Sequence, residues 1–328
     1  MIERAAIGLV VAFAIAAALG PFLIRFLREH GLQTFHWLKQ DRDNSVFFQL
    51  HGKKSGTPAM GGLLMLLAGV VLSAVLYAPT YPKEAWVFVA GFVAFSALGL
   101  LDDLSKAAVK AGLRKDDLAA MPKFFAQWAL GLGVGALMYW VVGLNGVTLP
   151  FVGVLHLGIA YVVAAAFVLV TTANAANITD GLDGLLGGLS VMGLGAFAVI
   201  AGVRANPVPL GLAAIVIGAT LGFMVYNIHP AKLFMGDVGS MGLGFTLAYV
   251  ALLLDQLLPL LLIAGVLAVE LLSSLIQRIA LRRGRKVFRI APLHHHFEAL
   301  GWPETRITPT FWLVGGLLAV AGVLVSLL

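Results

Sequence analysis

The feature that most constrains this chain is a series of apolar runs, each close to the length of a membrane-spanning helix. A helix that rises about 1.5 Å per residue needs ~20 apolar residues to cross a hydrocarbon core of ~30 Å. The 328-residue chain is 60% hydrophobic and 12% charged, so it lacks the polar surface that a soluble fold needs. We therefore predict an all-α integral membrane protein whose residues 1–328 form a single polytopic domain. The ten predicted transmembrane helices are 5–27, 60–79, 85–101, 124–143, 156–176, 186–203, 209–228, 239–254, 257–280 and 309–328.

The charges between these spans predict how the chain is oriented in the membrane. Of the 22 Lys and Arg residues, 19 fall in alternate loops, and the positive-inside rule makes those loops cytoplasmic and both termini extracytoplasmic. The rule gives carboxylates no such preference, yet most aspartates lie on the same side. We therefore expect an active-site cleft on the cytoplasmic side. The acids that suggest it are Asp102, Asp103, Asp116, Asp117, Asp180, Asp183 and Asp237.

Asp102 and Asp103 follow the third apolar run, at the predicted C-terminal end of its helix. Carboxylates are disfavoured there because the helix dipole is negative at that end. Nearby lysines such as Lys106 and Lys123, or a bound cation, would relieve the repulsion. The pair in isolation is also consistent with two solvated acids at the membrane boundary.

Two further acidic motifs suit a metal ion or a nucleotide sugar. Asp180 and Asp183 are three residues apart, which in a helical turn puts both carboxylates on one face. Asp237 lies between glycines at the start of the eighth span, and Mg²⁺ commonly takes one or two carboxylates together with substrate phosphates. The chain has no cysteine, so any metal must be held by oxygen or nitrogen ligands. The structural alternatives are helix packing for the glycines and loop capping for Asp237.

Three consecutive histidines, His294 to His296, lie in the longest basic loop. Adjacent imidazoles cannot all face one metal in regular backbone geometry, so phosphate recognition or acid–base chemistry fits them better than zinc. The glycine-rich segment 53–62 begins with two lysines and could hold phosphates, although it lacks the P-loop pattern. Glu270 is the one acid well inside a predicted span, and its role stays open.

Several of these segments resemble those of the polyprenyl-phosphate N-acetylhexosamine-1-phosphate transferase family. The resemblance covers nearly the whole chain, and the histidine motif with Gly301-Trp302-Pro303-Glu304 after it is similar to the branch that uses a muramoyl donor. The segments that carry it are 54–62, the Asp102-Asp103 pair, 174–185, 226–231, 234–240 and 291–298.

The resemblance implies an enzyme of the bacterial cytoplasmic (inner) membrane that acts in peptidoglycan synthesis. Undecaprenyl phosphate would attack the β-phosphate of UDP-N-acetylmuramoyl-pentapeptide, giving lipid I and UMP. Mg²⁺ is the implied cofactor, with Asp237 as its ligand and Asn177 assisting. Asp102 or Asp103 would deprotonate or orient the lipid phosphate, or form a covalent phospho-intermediate. The implied catalytic residues are Asp102, Asp103, Asp237 and His294, and the implied substrate-binding residues are Lys54, Thr57, Lys123, Asn177, Asp180, Asp183, Asn227, Phe234, Gly236, Gln277, His294, His295 and His296.

Two alternative functions remain at this point. One is a related transferase that uses UDP-N-acetylglucosamine, and the other is a secondary transporter with Glu270 as an intramembrane acid. Transporters place their key acids near the bilayer midplane, whereas these carboxylates lie in cytoplasmic loops, which favours an enzyme. The net charge of +6 is explained by membrane orientation, without nucleic acid as a partner. The resemblance also suggests a homodimer.

Overall fold

The computed structural model describes residues 1–32, 56–110, 120–149 and 153–327. These residues form twelve helices and one short β-hairpin. The helices are α1 Ile2–Glu29, α2 Gly62–Leu76, α3 Pro82–Lys110, α4 Ala120–Leu137, α5 Ala160–Thr179, α6 Leu185–Val203, α7 Pro207–Asn227, α8 Gly236–Leu253, α9 Leu257–Ile263, α10 Gly265–Arg282, α11 Leu293–Ala299 and α12 Glu304–Leu327. A π-helical turn, Met138–Val142, extends α4, and the hairpin pairs β1 Gly146–Leu149 with β2 Gly153–His156 in antiparallel register.

The helices confirm the all-α membrane class. Within the described part of the chain, eight helices are long and apolar enough to cross a membrane, and α9 with α10 makes a ninth candidate that is bent by 76°. The helix α2 is apolar but only 15 residues long. Each of the ten predicted apolar runs corresponds to one of these helices or to the bent pair.

Helices α7 and α8 form the centre of the bundle. Residues Val238 to Leu252 of α8 are all buried, and α7 is buried along most of its length. The outer helices α1 and α12 expose large apolar side chains, for example Phe22 at 73% and Leu313 at 66%. This inverted distribution is expected where lipid tails, which are as apolar as leucine, are the solvent.

Glycines allow other helices to come very close to the N-terminal end of α8. A Cβ atom on Gly62 of α2 would lie 2.2 Å from the backbone of Gly239, and one on Gly99 of α3 would lie 2.2 Å from the carbonyl oxygen of Asp237. Small residues at such crossings let backbones touch, which drives helix association in membranes. As a result, the first turn of α8 is held between α2 and α3.

Three local expectations were wrong, and one element was not predicted. Helix α3 does not end at Asp102 but continues to Lys110, so the two aspartates lie about two turns before its end. Asp180 and Asp183 do not share a helical face, because they lie in the turn between α5 and α6, where Gly184 has a φ of +72°. The ninth run is not one straight helix. The hairpin was not predicted; the Asp255 carboxylate at the end of α8 accepts a hydrogen bond from the Thr148 N–H at 2.9 Å.

Candidate active site

The site is built around Asp237, the second residue of α8. Its backbone N–H donates to Asp103 Oδ1 at 3.0 Å, and the N–H of Val238 donates to Asp103 Oδ2 at 3.1 Å. The first N–H groups of a helix have no partner within the helix, and the helix dipole makes that end positive. The carboxylate of Asp103 on α3 therefore caps α8 from outside, with both of its oxygens engaged.

Gly236 makes this capping contact possible. Its φ of +73° is in the left-handed region, which glycine adopts without strain. A Cβ atom at this position would lie 2.6 Å from Asp103 Oδ2 and 3.0 Å from the backbone nitrogen of Met60. Any side chain here would push the carboxylate away from the end of the helix.

Asp102 faces a different set of partners from its neighbour. Its Oδ2 atom lies 2.8 Å from Lys106 Nζ and 2.9 Å from Lys123 Nζ. The same two ammonium groups lie 3.1 Å and 2.8 Å from Asp237 Oδ2. Asp102 is 5% exposed, and Lys106 is one helical turn further along α3. Two lysines thus join two carboxylates from different helices into one compact cluster of charges.

Asp180 lies in the turn after α5, close enough to this cluster for the charges of the cluster to affect its pKa. Burial first, and then the negative charges of Asp237, Asp103 and Asp183, together raise the pKa of the Asp180 carboxyl to about 8, against a smaller opposing effect of Lys106. At neutral pH the carboxyl group is therefore mostly protonated and can donate a hydrogen bond.

Asp183 belongs to a second cluster, with His229 and Glu304. Asp183 Oδ2 lies 3.1 Å from His229 Nδ1 and accepts from the N–H of Ala231 at 3.0 Å, while His229 Nδ1 lies 3.5 Å from Glu304 Oε2. The backbone N–H of Asp183 also donates to Glu304 Oε1. One ligand atom from each of Asp183, His229 and Glu304 lies within 4.8 Å of the others, a spacing that could hold a metal ion.

The three histidines of α11 have three different partners. His294 Nδ1 lies 3.1 Å from Glu270 Oε2, and His295 Nδ1 lies 2.5 Å from Glu298 Oε2. The backbone N–H of Arg289 donates to His296 Nδ1 at 3.1 Å. This agrees with the expectation that the three rings do not converge on one metal.

Two of the predicted substrate-binding residues hold backbone segments in place. Asn227, at the end of α7, accepts from the N–H of Gly184 at 3.0 Å and donates to the carbonyl of Leu233 at 3.0 Å. Gln277 of α10 accepts from the N–H of Phe288 at 2.9 Å and donates to the Phe288 carbonyl at 3.0 Å. Their amide groups therefore order the loops that flank the site.

The remaining predicted residues differ in how they relate to the site. Asn177 of α5 donates to Ser240 Oγ at 2.9 Å, which ties it to the first turn of α8. The N–H of Phe234 donates to the carbonyl of Pro58 at 2.8 Å, so the segment with Thr57 lies beside the loop that precedes α8. Lys54 lies outside the described residues, as do Asp116 and Asp117.

The structure adds residues to the site that were not among the predicted catalytic or substrate-binding residues, although Lys106 was named as a lysine near the aspartate pair. Lys106 pairs with both Asp102 and Asp237, and its position four residues after Asp102 is a local signal that identifies the pairing. His229 and Glu304 join Asp183 from distant parts of the sequence, and nothing local points to either contact. Their proximity depends on how α6, α7 and α12 pack.

Comparison with known proteins agrees with this architecture. Residues 85–255, which include Asp102, Asp103, Asp180, Asp183 and Asp237, match the family model described as glycosyl transferase family 4. A phospho-N-acetylmuramoyl-pentapeptide-transferase of Oceanobacillus iheyensis is 39% identical, over 98% of this chain and 97% of the relative. The enzyme of the same name from Geobacillus kaustophilus is also 39% identical, over 98% and 97%. The chain therefore belongs to glycosyl transferase family 4, as a multi-pass membrane enzyme of its phospho-N-acetylmuramoyl-pentapeptide-transferase group.

Proposed function

We propose that this protein transfers phospho-N-acetylmuramoyl-pentapeptide from UDP to undecaprenyl phosphate, giving lipid I and UMP in peptidoglycan synthesis. The observation that carries the proposal is that relatives of that name match nearly the full length of this chain, and that in this chain carboxylates and lysines from different helices meet at one point. Membership of a transferase family favours this reaction over the secondary transporter. The remaining alternative is a related transferase that uses UDP-N-acetylglucosamine, and comparing turnover with the two donors tests it.

The reaction requires an oxygen of the lipid phosphate to attack the β-phosphorus of the donor. A new P–O bond joins the two phosphates while the bond from that phosphorus to the oxygen of UMP breaks, and UMP leaves with both electrons of that bond. The protein's contribution is to position the phosphates and to stabilise their charge. Lys106 and Lys123 are suited to this task because their ammonium groups lie together between two helices.

Within the aspartate pair, we assign the acid–base or orienting role to Asp102. Both oxygens of Asp103 accept backbone N–H groups of α8, whereas Asp102 presents its carboxylate to the two lysines that would meet a phosphate. Asp103 then acts as a positioning residue that fixes Asp237. This division favours direct transfer, with Asp102 receiving the proton of the lipid phosphate or orienting it.

The residues present fit a Mg²⁺ ion. The donor set near the start of α8 consists of carboxylate and amide oxygens, which hard divalent cations prefer. Two ammonium groups between Asp102 and Asp237 also indicate that the site accommodates two positive charges. Asp237, with Asn177 tied to the same turn through Ser240, would hold the ion. When bound, Mg²⁺ supplies positive charge that stabilises the diphosphate oxygens.

The proposal also includes the arrangement in the membrane. The ten apolar segments, with α2 and the bent α9–α10 pair both counted as spans, would place both termini outside the cytoplasm. All residues of the cluster then lie on the cytoplasmic side, where a soluble nucleotide sugar and the head of a lipid phosphate can meet. Reporter fusions at each terminus would test this topology, and a cytoplasmic terminus would contradict it.

Turnover by purified protein is the decisive test of the reaction. With undecaprenyl phosphate, Mg²⁺ and UDP-N-acetylmuramoyl-pentapeptide, folded protein should release UMP and form a lipid-linked product. Absence of UMP release from folded protein would overturn the proposal. Release only with UDP-N-acetylglucosamine would keep the family and overturn the choice of donor.

A matched pair of variants tests the metal site. Asp237→Asn should abolish turnover that depends on Mg²⁺, because one ligand oxygen and one charge are lost. Asp255→Asn makes the same chemical change at the other end of α8 and should keep turnover near the wild-type level. If Asp237→Asn keeps its activity and its Mg²⁺ dependence, the assignment of Asp237 as metal ligand is wrong.

A further inference from the structure

Glu270 is a buried carboxylate that the reaction described above does not use. It lies within α10 with no exposed surface, and it contacts the ring of His294 of α11, which is also fully buried. Its Oε1 atom accepts from the backbone N–H of His294 at 3.1 Å, and its Oε2 lies 3.1 Å from Nδ1 of the same residue. One carboxylate therefore contacts one histidine at two points, and the two residues are 24 positions apart in the sequence.

These two contacts decide where the ring proton lies. An ionised carboxylate only accepts hydrogen bonds, and a neutral imidazole has one nitrogen that donates and one that accepts. With Glu270 ionised and the ring neutral, Nδ1 carries the proton towards Glu270, and Nε2 is the acceptor. A carboxylate that orients histidine in this way is a common support for functional imidazoles.

The other nitrogen, Nε2, is buried and has no hydrogen-bond partner among the described residues. Leaving a buried polar atom unpaired costs ~1–3 kcal/mol, so such an atom normally has a partner in the working state of the protein. Its position is also informative. A Cβ atom on Gly181 would lie 2.1 Å from Nε2, so this nitrogen points at the turn that carries Asp180 and Asp183.

We propose that Glu270 is a positioning residue that holds His294 in its Nδ1–H form, so that Nε2 accepts a hydrogen bond from an N–H or O–H group of the nucleotide-sugar donor. This inference rests on the proposed function, because it assigns the turn of Asp180 and Asp183 to the donor. It differs from phosphate recognition, since a nitrogen lone pair repels a phosphate oxygen and pairs with a hydroxyl or an amide.

Glu270→Gln tests this role because it keeps the shape of the side chain and replaces one acceptor oxygen by a donor NH₂ group. The backbone N–H of His294 can only donate, so it must pair with the amide oxygen of the new glutamine. The amide NH₂ then faces Nδ1, which has to become the acceptor, and the ring proton moves to Nε2. The variant would present a donor to the substrate where the wild type presents an acceptor.

The first measurement is ¹⁵N NMR of histidine-labelled protein at a pH where the ring is neutral, with His294→Ala used to assign the signal. Wild type should show Nδ1–H and Glu270→Gln should show Nε2–H. This experiment needs no substrate, so it remains valid even if the donor has been wrongly identified. A wild-type ring with its proton on Nε2 would overturn the proposal.

The second measurement is turnover, with donor and acceptor varied separately. Glu270→Gln should lower kcat/KM for the donor by about 10- to 100-fold, as expected for a mismatched buried hydrogen bond, while KM for undecaprenyl phosphate stays unchanged. Glu84→Gln, the same substitution at the start of α3, is the matched control and should keep wild-type kinetics. In a His294→Ala background, Glu270→Gln should lower kcat/KM for the donor little further, because its effect depends on the imidazole ring that this background lacks.

The outcomes distinguish a failure of the proposed function from a failure of the role assigned to Glu270. Inactive wild-type protein would count against the proposed function, whereas active wild type with unchanged kinetics in Glu270→Gln would overturn the role of Glu270. A variant that loses thermal stability but keeps kcat/KM for the donor would show a purely structural pair. Equal losses for donor and acceptor would also contradict the assignment to the donor.

Discussion

Replacing Asp103 by asparagine should separate the two neighbouring aspartates, because they make different contacts. Asp103 accepts from the N–H groups of Asp237 and Val238 with its two oxygens. Asparagine offers one oxygen for these two donors, and its NH₂ group then faces the second N–H. The variant should weaken the start of α8 without removing a group that meets a phosphate.

The size of the effect follows from these two bonds. A hydrogen bond to a charged group contributes ~1.5–3 kcal/mol, and the favourable interaction of a carboxylate with a helix N-terminus adds ~0.3–1 kcal/mol. Losing one bond and the charge should therefore cost about 2–4 kcal/mol. Since 1 kcal/mol shifts the unfolding midpoint of a large domain by roughly 2 °C, we expect a decrease of about 4–8 °C.

The assay compares Asp103→Asn with Asp102→Asn in the same detergent, by thermal unfolding and by UMP release. Asp103→Asn should unfold earlier but keep measurable turnover at low temperature. Asp102→Asn should lose turnover and unfold closer to the wild type, because Lys106 and Lys123 still have Asp237 as a partner.

Two results would refute this reasoning. A wild-type unfolding midpoint in Asp103→Asn would mean that its bonds to α8 contribute little to stability. Turnover lost equally in both variants, with both folded, would mean that Asp103 also acts on the substrate.

Three further predictions follow from the site. Gly181→Ala should abolish donor turnover and disturb the ¹⁵N signal of His294, because a Cβ atom would lie 2.1 Å from Nε2; a wild-type signal would contradict the contact. Gly236→Ala should lower the unfolding midpoint, since its φ is +73° and its Cβ would lie 2.6 Å from Asp103 Oδ2; an unchanged midpoint would argue against a close cap. Asp180→Asn should stabilise the metal-free protein more at pH 9 than at pH 5. The folded pKa of Asp180 is about 8 and its ordinary value is 3.8, so the wild type loses stability as pH rises between the two; equal midpoint shifts at both pH values would contradict it.

The membrane helices could be predicted from the sequence because their signal is local. A run of ~20 apolar residues is sufficient evidence for a span, and no tertiary contact is needed to recognise it. Helix ends were less predictable where tertiary contacts decide them. Asp102 and Asp103 looked like the end of α3, yet the helix continues to Lys110, and Lys106 pairs with Asp102 one turn later. The bend between Ile263 and Gly265 likewise has no clear local signal.

The candidate site was predictable in its members but not in their contacts. An excess of aspartates on the cytoplasmic side pointed to Asp237 and to the Asp102-Asp103 pair without any structure. Adjacent helical residues point about 100° apart, so the two carboxylates make different contacts: Asp103 meets the backbone N–H groups of α8, and Asp102 meets Lys106 and Lys123. The contact between Glu270 and His294 was not predicted either, because the two residues are far apart in the sequence and no local pattern indicates that they meet.

The electrostatics of the site explain why its acids behave differently from one another. Asp103 is balanced by the N-terminus of α8, and Asp102 and Asp237 are balanced by Lys106 and Lys123. For Asp180, the positive charge of Lys106 has only a smaller opposing effect. Its carboxyl is buried and faces the negative charges of the others, so its pKa rises to about 8 and it keeps its proton at neutral pH. A positive charge added beside Asp180 should therefore lower this pKa and favour loss of the proton at neutral pH.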